Sequence, residues 1–359
     1  MPDNQPTNFQ ARCLLVTGGA GFIGTNFVYY WLAQHPNSRV LVLDALSYAG
    51  RYENIQPLEA NARFQFVHGD ILDQTRVEAL IRQEAIDTLV HFAAESHVDR
   101  SIYAPDAFVK TNIKGTHSLL KAAKKVWLEE QFKSQHRFHH VSTDEVYGTL
   151  SATDPAFSER TPYAPNSPYA ASKAASDHLV RAYHHTYGLN TTTSNCSNNY
   201  GPYQYPEKFI PLAISRLLQR QAVPVYGDGQ QIRDWLYVDD HNRGIELVLL
   251  HGRLGESYNI GGNNELANLS LLNKLCTLLD ERFPDSPGVP HAQHITHVAD
   301  RPGHDRRYAI DNTKISQELG FEPQETLQTG LAKTLDWYLA AEPFWRGGVP
   351  LFGSHETQG

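Results

Sequence analysis

The stretch Cys13-Leu-Leu-Val-Thr-Gly-Gly-Ala-Gly-Phe-Ile-Gly24 decides the fold of this chain. Its first five residues form the apolar run of a buried strand, and the apolar and aromatic positions from Phe22 to Leu32 follow a helical period. Between them lie Gly19, Gly21 and Gly24 in the spacing Gly-x-Gly-x-x-Gly. Glycines at these points allow a sharp turn and a close approach of pyrophosphate, while the start of the helix offers N–H donors. The stretch therefore predicts the opening of a dinucleotide-binding fold.

Short apolar runs continue to alternate with helical stretches along the first half of the chain. The predicted strands are Val40–Leu43, Phe64–Val67, Thr88–Phe92, Phe138–Val141 and Thr191–Asn195, and the predicted helices include Val77–Arg82, Asn112–Leu128 and Tyr169–Tyr187. This alternation predicts an α/β fold with a Rossmann-type, doubly wound parallel sheet. Beyond it the alternation becomes irregular and Pro and Gly become more frequent, which predicts a smaller, mixed α/β substrate-binding domain.

These patterns suggest a division of the chain into two domains and a tail. We expect the cofactor domain in residues 11–195, with a return segment near 232–256. The substrate domain is expected in residues 196–231 and 257–342, and residues 343–359 are expected to be a loosely attached tail.

Composition excludes several classes of protein. The 359 residues carry a formal net charge of −8 without a basic block, which disfavours nucleic acid as a partner. The three cysteines, Cys13, Cys196 and Cys276, form no CxxC pair and indicate reduced thiols rather than disulfides or a metal site. The polar amino terminus and the absence of a long apolar run predict a cytoplasmic protein that does not enter a membrane.

Asp44 follows the second predicted strand, twenty residues after Gly24. A carboxylate at this position can accept hydrogen bonds from the adenosine ribose hydroxyls and would repel a 2′-phosphate, so we expect NAD rather than NADP. Asp70, after the third strand, could contact the adenine edge or could lie in a solvated turn.

Tyr169 and Lys173 are four residues apart and so lie on one face of a predicted helix. A phenol is a weak base at neutral pH, but a neighbouring ammonium group and a positive nicotinamide ring both favour the phenolate. Such a pair is more often part of a solvated helix face. Its position after the fifth strand of a dinucleotide fold instead favours a base for hydride transfer.

Thr143, Asp144 and Glu145 come where the fifth strand should end, at the sheet edge where ligands bind in open α/β folds. Adjacent acids at a strand end are ordinarily part of a solvated turn. Beside a nicotinamide site and a Tyr/Lys pair, they suggest acid and base chemistry at a second substrate carbon, which a plain oxidoreductase would not need.

Over most of its length the chain resembles the extended short-chain dehydrogenases that modify nucleotide sugars, and within them the dTDP-glucose 4,6-dehydratase family. Besides the glycine loop, the segments that carry this resemblance are His91–Ser101, Ser142–Gly148, Ser167–Lys173, Asn195–Pro202, Pro206–Pro211, Gln231–Asp240 and Asp300–Asp305. The Thr-Asp-Glu triplet resembles the dehydratases and differs from the smaller residues that epimerases carry there.

The resemblance implies a dehydratase reaction in which the hydride returns to the same sugar. Tyr169 would take the C4 hydroxyl proton while hydride passes to NAD, with Thr143 bonded to the same oxygen. Glu145 would then take the C5 proton, Asp144 would protonate the departing C6 hydroxyl, and hydride would return to C6 to give dTDP-4-keto-6-deoxyglucose, a deoxysugar precursor. Two neighbouring carboxyls cannot easily both be charged in a dry crevice. The sequence does not reveal which of them is protonated.

The resemblance also implies which residues bind the ligands, and it implies a homodimer. The NAD site would comprise Gly18, Gly21, Phe22, Ile23, Gly24, Asp44, Asp70, Ile71, Ala93, Thr111, Tyr169, Lys173 and Asn199. The dTDP-glucose site would comprise Ser96, Thr143, Asn198, Lys208, Phe209, Tyr226, Arg233, Asn268, Arg301 and His304. Helices containing Asn112–Leu128 and Tyr169–Tyr187 would pair in the dimer.

Other readings stay open on the sequence alone. The chain could act on a UDP-, CDP- or GDP-linked hexose, because thymine and uracil differ by one methyl group, or it could be a nucleotide-sugar 4-epimerase. A non-catalytic NAD-sensing protein is a more distant alternative. Intact Tyr169, Lys173, Asp144 and Glu145 argue against it.

Overall fold

The structure, a computed structural model, describes residues 9–133, 135–300 and 303–346. The strands are β1 Cys13–Thr17, β2 Arg39–Asp44, β3 Phe64–His68, β4 Thr88–His91, β5 Arg137–Thr143, β6 Thr191–Cys196, β7 Asn198–Tyr200, β8 Val223–Tyr226, β9 Ile232–Tyr237, β10 Ser257–Ile260, β11 Glu265–Ala267 and β12 Ile295–Val298. The helices are α1 Phe22–Gln34, α2 Tyr52–Ile55, α3 Gln74–Gln83, α4 Val98–Tyr103, α5 Pro105–Phe108, α6 Thr116–Ala123, α7 Pro168–Tyr187, α8 Phe209–Leu218, α9 Val238–His251, α10 Asn268–Arg282, α11 Thr313–Leu319, α12 Leu327–Ala340 and α13 Glu342–Trp345. Three short 3-10 turns lie at Gln56–Ala60, Asp144–Tyr147 and His291–His294, and π-helical turns at Val109–Gly115 and Lys124–Glu129 extend α5 and α6.

Seven parallel strands form the large sheet in the order β3-β2-β1-β4-β5-β6-β10. Along β1, Leu14 and Val16 pack on one face of the sheet and Leu15 packs on the other, so both faces are covered. The chain reverses its direction of winding between β1 and β4, and this reversal opens a crevice at the carboxyl ends of the strands. The predicted doubly wound α/β fold is confirmed.

A smaller α/β region follows the large sheet. It contains the three-stranded sheet β11-β9-β7 and the two-stranded sheet β12-β8. Side chains of α8, α10 and α12, including Ile214, Leu275 and Leu335, pack with Trp235 and Tyr338 into a separate apolar core. This core is separate from the two cores that cover the faces of the large sheet.

The strand pairing departs from the predicted domain boundaries in the segment around residues 232–260. β10 begins at Ser257 but pairs with β6 at the edge of the large sheet, whereas β9, inside the predicted return segment, belongs to the three-stranded sheet. Ile315 and Phe321 also pack in the core of the large sheet. The return to the cofactor region therefore starts later than residue 232 and continues beyond residue 256.

The predicted loose tail also begins too early. Residues 343–345 belong to helix α13, in which Trp345 is buried and its indole N–H donates to the Tyr338 carbonyl over 2.6 Å. The rest of the predicted tail lies outside the described residues. Among the helices that the structure describes, none has the length and apolar character needed to cross a membrane.

Candidate active site

The loop between β1 and α1 packs too closely to admit side chains at two glycines. Gly18 has φ +73°, and a Cβ there would lie 2.6 Å from the backbone nitrogen of Ala93. A Cβ on Gly24 would lie 2.3 Å from the carbonyl oxygen of Gly18. The first turn of α1 therefore sits directly on the loop, and its N–H groups face a space suited to pyrophosphate.

Asp44 joins this loop to the end of β2. Its Oδ2 accepts the N–H of Ala20 over 2.9 Å, and its Oδ1 accepts the N–H of Leu46 over 2.8 Å. Burial raises the pKa of Asp44, while the two backbone hydrogen bonds oppose that rise. Since a carboxylate oxygen can accept more than one hydrogen bond, Asp44 can also receive ribose hydroxyls at the cleft that it lines.

The structure brings every predicted cofactor residue to this one cleft. Its lining includes Gly18, Gly21, Phe22, Ile23, Gly24, Asp44, Asp70, Ile71, Ala93, Thr111, Tyr169, Lys173 and Asn199. The sequence analysis missed Tyr48, Glu95, Gln204 and Tyr205, which also line it. Tyr48 follows Asp44 closely in the chain and could have been found, whereas Gln204 and Tyr205 reach the cleft only through the tertiary fold.

Tyr169 and Lys173 lie in the first two turns of α7. The helix begins after Ser167, whose hydroxyl accepts the N–H of Ala170 over 3.1 Å, and Pro168 occupies its first position. Lys173 is buried, and its Nζ donates to the carbonyl of Val141 on β5 over 2.8 Å. The phenol is thereby placed against the carboxyl end of β5.

The two ionisable groups of α7 are shifted in opposite directions. Burial raises the pKa of Tyr169 well above its usual value, Glu145 adds to the rise, and a hydrogen bond to Thr143 opposes it. Burial lowers the pKa of Lys173, and the charge of Asp177 opposes this shift. The phenol therefore needs positive charge beside it before it can act as a base.

Thr143 ends β5, and Asp144 and Glu145 begin the turn that follows. The Thr143 hydroxyl accepts the N–H of Glu145 over 3.3 Å, which fixes the start of this turn. Asp144 is only 1% exposed, and its Oδ2 has no hydrogen-bond partner among the described residues. Burial, and then the charges of Glu145 and Asp234, raise the pKa of Asp144 well above its usual value. Burial and the neighbouring negative charges thus favour the protonated form of Asp144.

A second cleft adjoins the first and shares Glu145 with it. Of the predicted sugar-site residues, its lining includes Ser96, Asn198, Lys208, Phe209, Tyr226, Arg233, Asn268 and His304. Thr143 lines the cofactor cleft instead, and Arg301 lies outside the described residues. The two clefts together form one continuous site at the carboxyl edge of the large sheet.

Basic side chains of the second cleft are held by backbone carbonyls. Lys208 Nζ donates to the carbonyl of Ser96 over 3.0 Å. The Arg233 guanidinium donates to the carbonyls of Ile232 at 2.7 Å and Asp305 at 2.9 Å, and it lies 4.2 Å above the ring of Tyr308. Fixed cations of this kind suit an anionic diphosphate.

Several residues of the second cleft were missed in the sequence. They include His97, Glu207, Asp305 and Tyr308. Burial raises the pKa of Glu207 to about 7, although Lys208 opposes the rise. Glu207 directly precedes Lys208, a predicted sugar-site residue, so its place near the site could have been predicted from the sequence. Its burial could not.

Comparisons with known proteins agree with this geometry. A family profile described as GDP-mannose 4,6 dehydratase matches residues 15–334. The dTDP-glucose 4,6-dehydratase of Xanthomonas campestris pv. campestris is 54% identical over 346 residues, which cover 96% of this chain and 97% of that protein.

Solved structures also show similarity to dTDP-glucose 4,6-dehydratases. The dTDP-glucose 4,6-dehydratase of Streptomyces venezuelae, solved with NAD and dTDP bound, is 47% identical with a TM-score of 0.85, over 93% of this chain and 99% of that one. A UDP-glucuronic acid 4-epimerase from Bacillus cereus is 30% identical with a TM-score of 0.80, over 92% of this chain and 99% of that one. The epimerase shares the fold at a much lower identity. The chain belongs to the dTDP-glucose 4,6-dehydratase family.

Proposed function

We propose that this enzyme uses NAD to convert dTDP-glucose into dTDP-4-keto-6-deoxyglucose by eliminating water between C5 and C6. The observation that carries the proposal is the deep burial of Asp144, which raises its pKa, beside Glu145 and within the same cleft as Tyr169. The relatives named dTDP-glucose 4,6-dehydratase, and the Streptomyces venezuelae structure with NAD and dTDP, support the choice of substrate and cofactor.

Tyr169 is the proposed base for the C4 hydroxyl. The positive charges of Lys173 and of the nicotinamide ring would offset the burial that keeps the phenol protonated. Thr143, which is hydrogen-bonded to Tyr169, would donate to the same substrate oxygen. When bound, NAD supplies the hydride acceptor for C4 and the hydride donor for C6.

Asp144 and Glu145 divide the elimination between them. A ketone at C4 acidifies the C5 proton, and Glu145 would remove that proton. Asp144, held neutral by burial, would donate its proton to the C6 hydroxyl as that group leaves. The environments of the two carboxyls differ, since Asp144 is buried and Glu145 is half-buried.

The remaining predicted site residues are proposed to hold the two ligands. The glycine loop and Asp44 would bind the pyrophosphate and adenosine ribose of NAD. Arg233 and Lys208 would bind the substrate diphosphate, Arg233 through its fork of donors and Lys208 as a point charge.

We also propose that the enzyme is a homodimer that acts in the cytoplasm. The helical segment 105–129 and α7 would form the interface, and Val109 and Tyr187 on these helices are 44% and 49% exposed. Light scattering on the purified protein tests the dimer. The thiols of Cys13, Cys196 and Cys276 are free and buried, as expected in a reducing compartment.

The first experiment is to incubate the purified protein with dTDP-glucose and determine the product mass. Loss of one water without net accumulation of NADH is the expected result. An unchanged mass would contradict the proposal and direct the assay to a 4-epimerase product or to UDP-, CDP- and GDP-hexoses. With the correct base, the methyl group of thymine should favour dTDP over UDP substrate by about 10- to 200-fold in kcat/KM.

The variant Glu145→Gln tests the second half of the reaction. It should retain NAD and still form NADH from the C4 hydride, but it should lose the elimination of water. Normal turnover by a folded, NAD-containing Glu145→Gln protein would show that another group removes the C5 proton.

A further inference from the structure

A buried polar cluster centred on Asp177 lies beneath the site, and none of its members takes part in the proposed chemistry. Asp177 is on α7, four residues after Lys173 and eight after Tyr169, and it is 5% exposed. A carboxylate so deeply buried must be hydrogen-bonded to be tolerated.

Four donors from three parts of the chain meet this carboxylate. Oδ1 accepts the N–H of His140 Nε2 on β5 over 3.0 Å. Oδ2 accepts the hydroxyls of Ser142 and Tyr163, each over 2.9 Å, and the amide of Asn195 on β6 over 3.3 Å. Asp177 therefore ties α7 to two strands of the large sheet and to the segment that precedes the helix.

These contacts fix the position of α7 along β5. His140 and Ser142 are two residues apart on the strand, so their side chains face the same side and both reach Asp177. The carbonyl of Val141, between them, accepts the Lys173 ammonium group over 2.8 Å. A shift of α7 by one residue would break both attachments and would move Tyr169 away from Thr143.

Resting on the dehydratase function proposed above, we propose that Asp177 is a positioning residue: it holds α7 in register with β5, so that Tyr169 meets Thr143 and Lys173 meets the Val141 carbonyl. From about one helical turn away, its negative charge also favours the ammonium form of Lys173. Asp177 itself lines neither cleft, although Ser142, which donates to it, lines the cofactor cleft. Its effect on catalysis passes through Lys173 and Tyr169.

Burial shifts the pKa of each surrounding ionisable group towards its neutral form. Those that face Asp177 and Lys173 are His91 on β4, His140 on β5, Tyr147 on the turn after β5, Tyr163, Tyr169 and Cys196 on β6. Burial, with Lys173 second, lowers the pKa of His140 to about 4. Burial raises the pKa of Asp177, but the hydrogen bonds from His140 and Ser142 and the charge of Lys173 outweigh it, so the net shift is downward. Asp177 thus stays a carboxylate and raises the pKa of Lys173 against its burial.

The test compares Asp177→Asn with the matched control Tyr163→Phe in the NAD-containing enzyme. Asp177→Asn removes the charge and presents a donor to groups that already donate, whereas Tyr163→Phe removes one donor and keeps the carboxylate. For Asp177→Asn we expect kcat to fall by about tenfold or more with little change in KM, as for misplacement of a catalytic group. The alkaline limb of its pH profile should move to lower pH, because Lys173 loses the charge that favours its protonated form.

Tyr163→Phe should leave that limb in place and lower kcat by less than about threefold. If Asp177→Asn does not fold, Asp177→Ser, which leaves room for a water among the same donors, replaces it. A folded Asp177 variant whose alkaline limb superimposes on that of the wild type would overturn the proposal, whether or not its kcat has fallen.

Failure of the proposed function would look different. If the wild-type enzyme dehydrates no nucleotide sugar, the reaction assignment fails. The role of Asp177 in holding α7 in register with β5 can then be tested by amide hydrogen exchange. Asp177→Asn should speed exchange in residues 137–147 and 168–177, whereas Tyr163→Phe should not. Unchanged exchange there would end the proposal independently of turnover.

Discussion

The cofactor half and the sugar half of the site are built in different ways. The cofactor half consists largely of backbone: the loop from Gly18 to Gly24 and the two N–H groups that Asp44 accepts. The sugar half consists of side chains anchored across long sequence distances, as Lys208 reaches the Ser96 carbonyl 112 residues away and Arg233 reaches the Asp305 carbonyl 72 residues away. Binding of NAD should therefore be impaired by substitutions that add atoms to the glycine loop. Binding of the nucleotide sugar should be impaired by substitutions that remove a charged or hydrogen-bonding group.

The largest expected effect is at Tyr169, the proposed base in the cofactor cleft. Tyr169→Phe removes the proposed base, so kcat should fall by about 10²- to 10⁴-fold, the usual contribution of general base catalysis. NAD content should not change, because the ring still fills its place in the cleft. Steady-state assays and the absorbance of released cofactor measure both quantities.

Tyr52→Phe serves as the control for loss of a phenol, since its hydroxyl bonds to Glu59 on the protein surface. It should leave turnover unchanged. A Tyr169→Phe enzyme within about tenfold of the wild type would assign the base to another group.

An added methyl group tests the cofactor half. In Gly24→Ala the new Cβ would meet the Gly18 carbonyl oxygen at 2.3 Å, and neither backbone segment can move without opening the loop. We expect loss of bound NAD and a destabilisation of about 3 kcal/mol, in the range for overpacking. Cofactor content and thermal unfolding of the purified protein are the measurements.

Gly21→Ala is the milder variant for comparison, because its Cβ would lie 3.3 Å from the carbonyl oxygen of Gly18. Gly21→Ala should lose less bound NAD and less stability than Gly24→Ala. Equal behaviour of the two variants would mean that loop packing does not control NAD binding.

Arg233→Lys tests how the sugar half binds its ligand, because it keeps the positive charge and removes the paired N–H donors of the guanidinium group. Lysine cannot hold the carbonyls of Ile232 and Asp305 and still present two parallel donors. We expect KM for the nucleotide sugar to rise by about 10- to 100-fold, as for a charged hydrogen bond worth roughly 1.5–3 kcal/mol, with unchanged NAD content. The exposed Arg306→Lys is the matched control and should leave KM as it is. A loss of NAD in Arg233→Lys would contradict the separation of the two halves.

The same contrast explains what the sequence could predict. The glycine loop, Asp44 and the Tyr169/Lys173 pair are local patterns whose spacing already implies their geometry, and all of them line the cofactor cleft. Lys208 and Arg233 were assigned only through the family resemblance, because their contacts depend on how distant segments meet.

The features that the sequence did not predict, strand β10 and the burial of Asp144, depend on contacts between residues far apart in the chain. The four residues of β10, Ser257–Ile260, contain no apolar run, and only pairing with β6 reveals them as part of the large sheet. The difference between Asp144 and Glu145 is a difference in burial, and two adjacent residues in a sequence carry no sign of it.

The last expected effect is on stability rather than on turnover, and it is a pH-dependent difference at Asp144. Its pKa in the folded protein is raised above the usual value of 3.8, so the folded state keeps a proton that the unfolded state releases. As pH rises above about 5, where the carboxyl of the unfolded chain is ionised, the contribution of Asp144 to wild-type stability should therefore fall until the pH reaches the raised pKa of the folded state, whereas Asp144→Asn has no such proton to keep. The free energy of unfolding of Asp144→Asn relative to the wild type should grow by up to about 1.4 kcal/mol per pH unit, as followed by thermal unfolding across this range.

Asp228→Asn provides the control, because the Gln230 N–H and Arg306 lower the pKa of this exposed carboxyl. A lowered pKa affects stability only in acid, so its difference from the wild type should stay constant over the same pH range. If the Asp144→Asn difference were also constant, Asp144 would be ionised at neutral pH despite its burial. It would then have no proton to give to the leaving hydroxyl, and the acid of the elimination would have to be sought among the other carboxyls of the two clefts, such as Glu207, whose pKa burial raises to about 7.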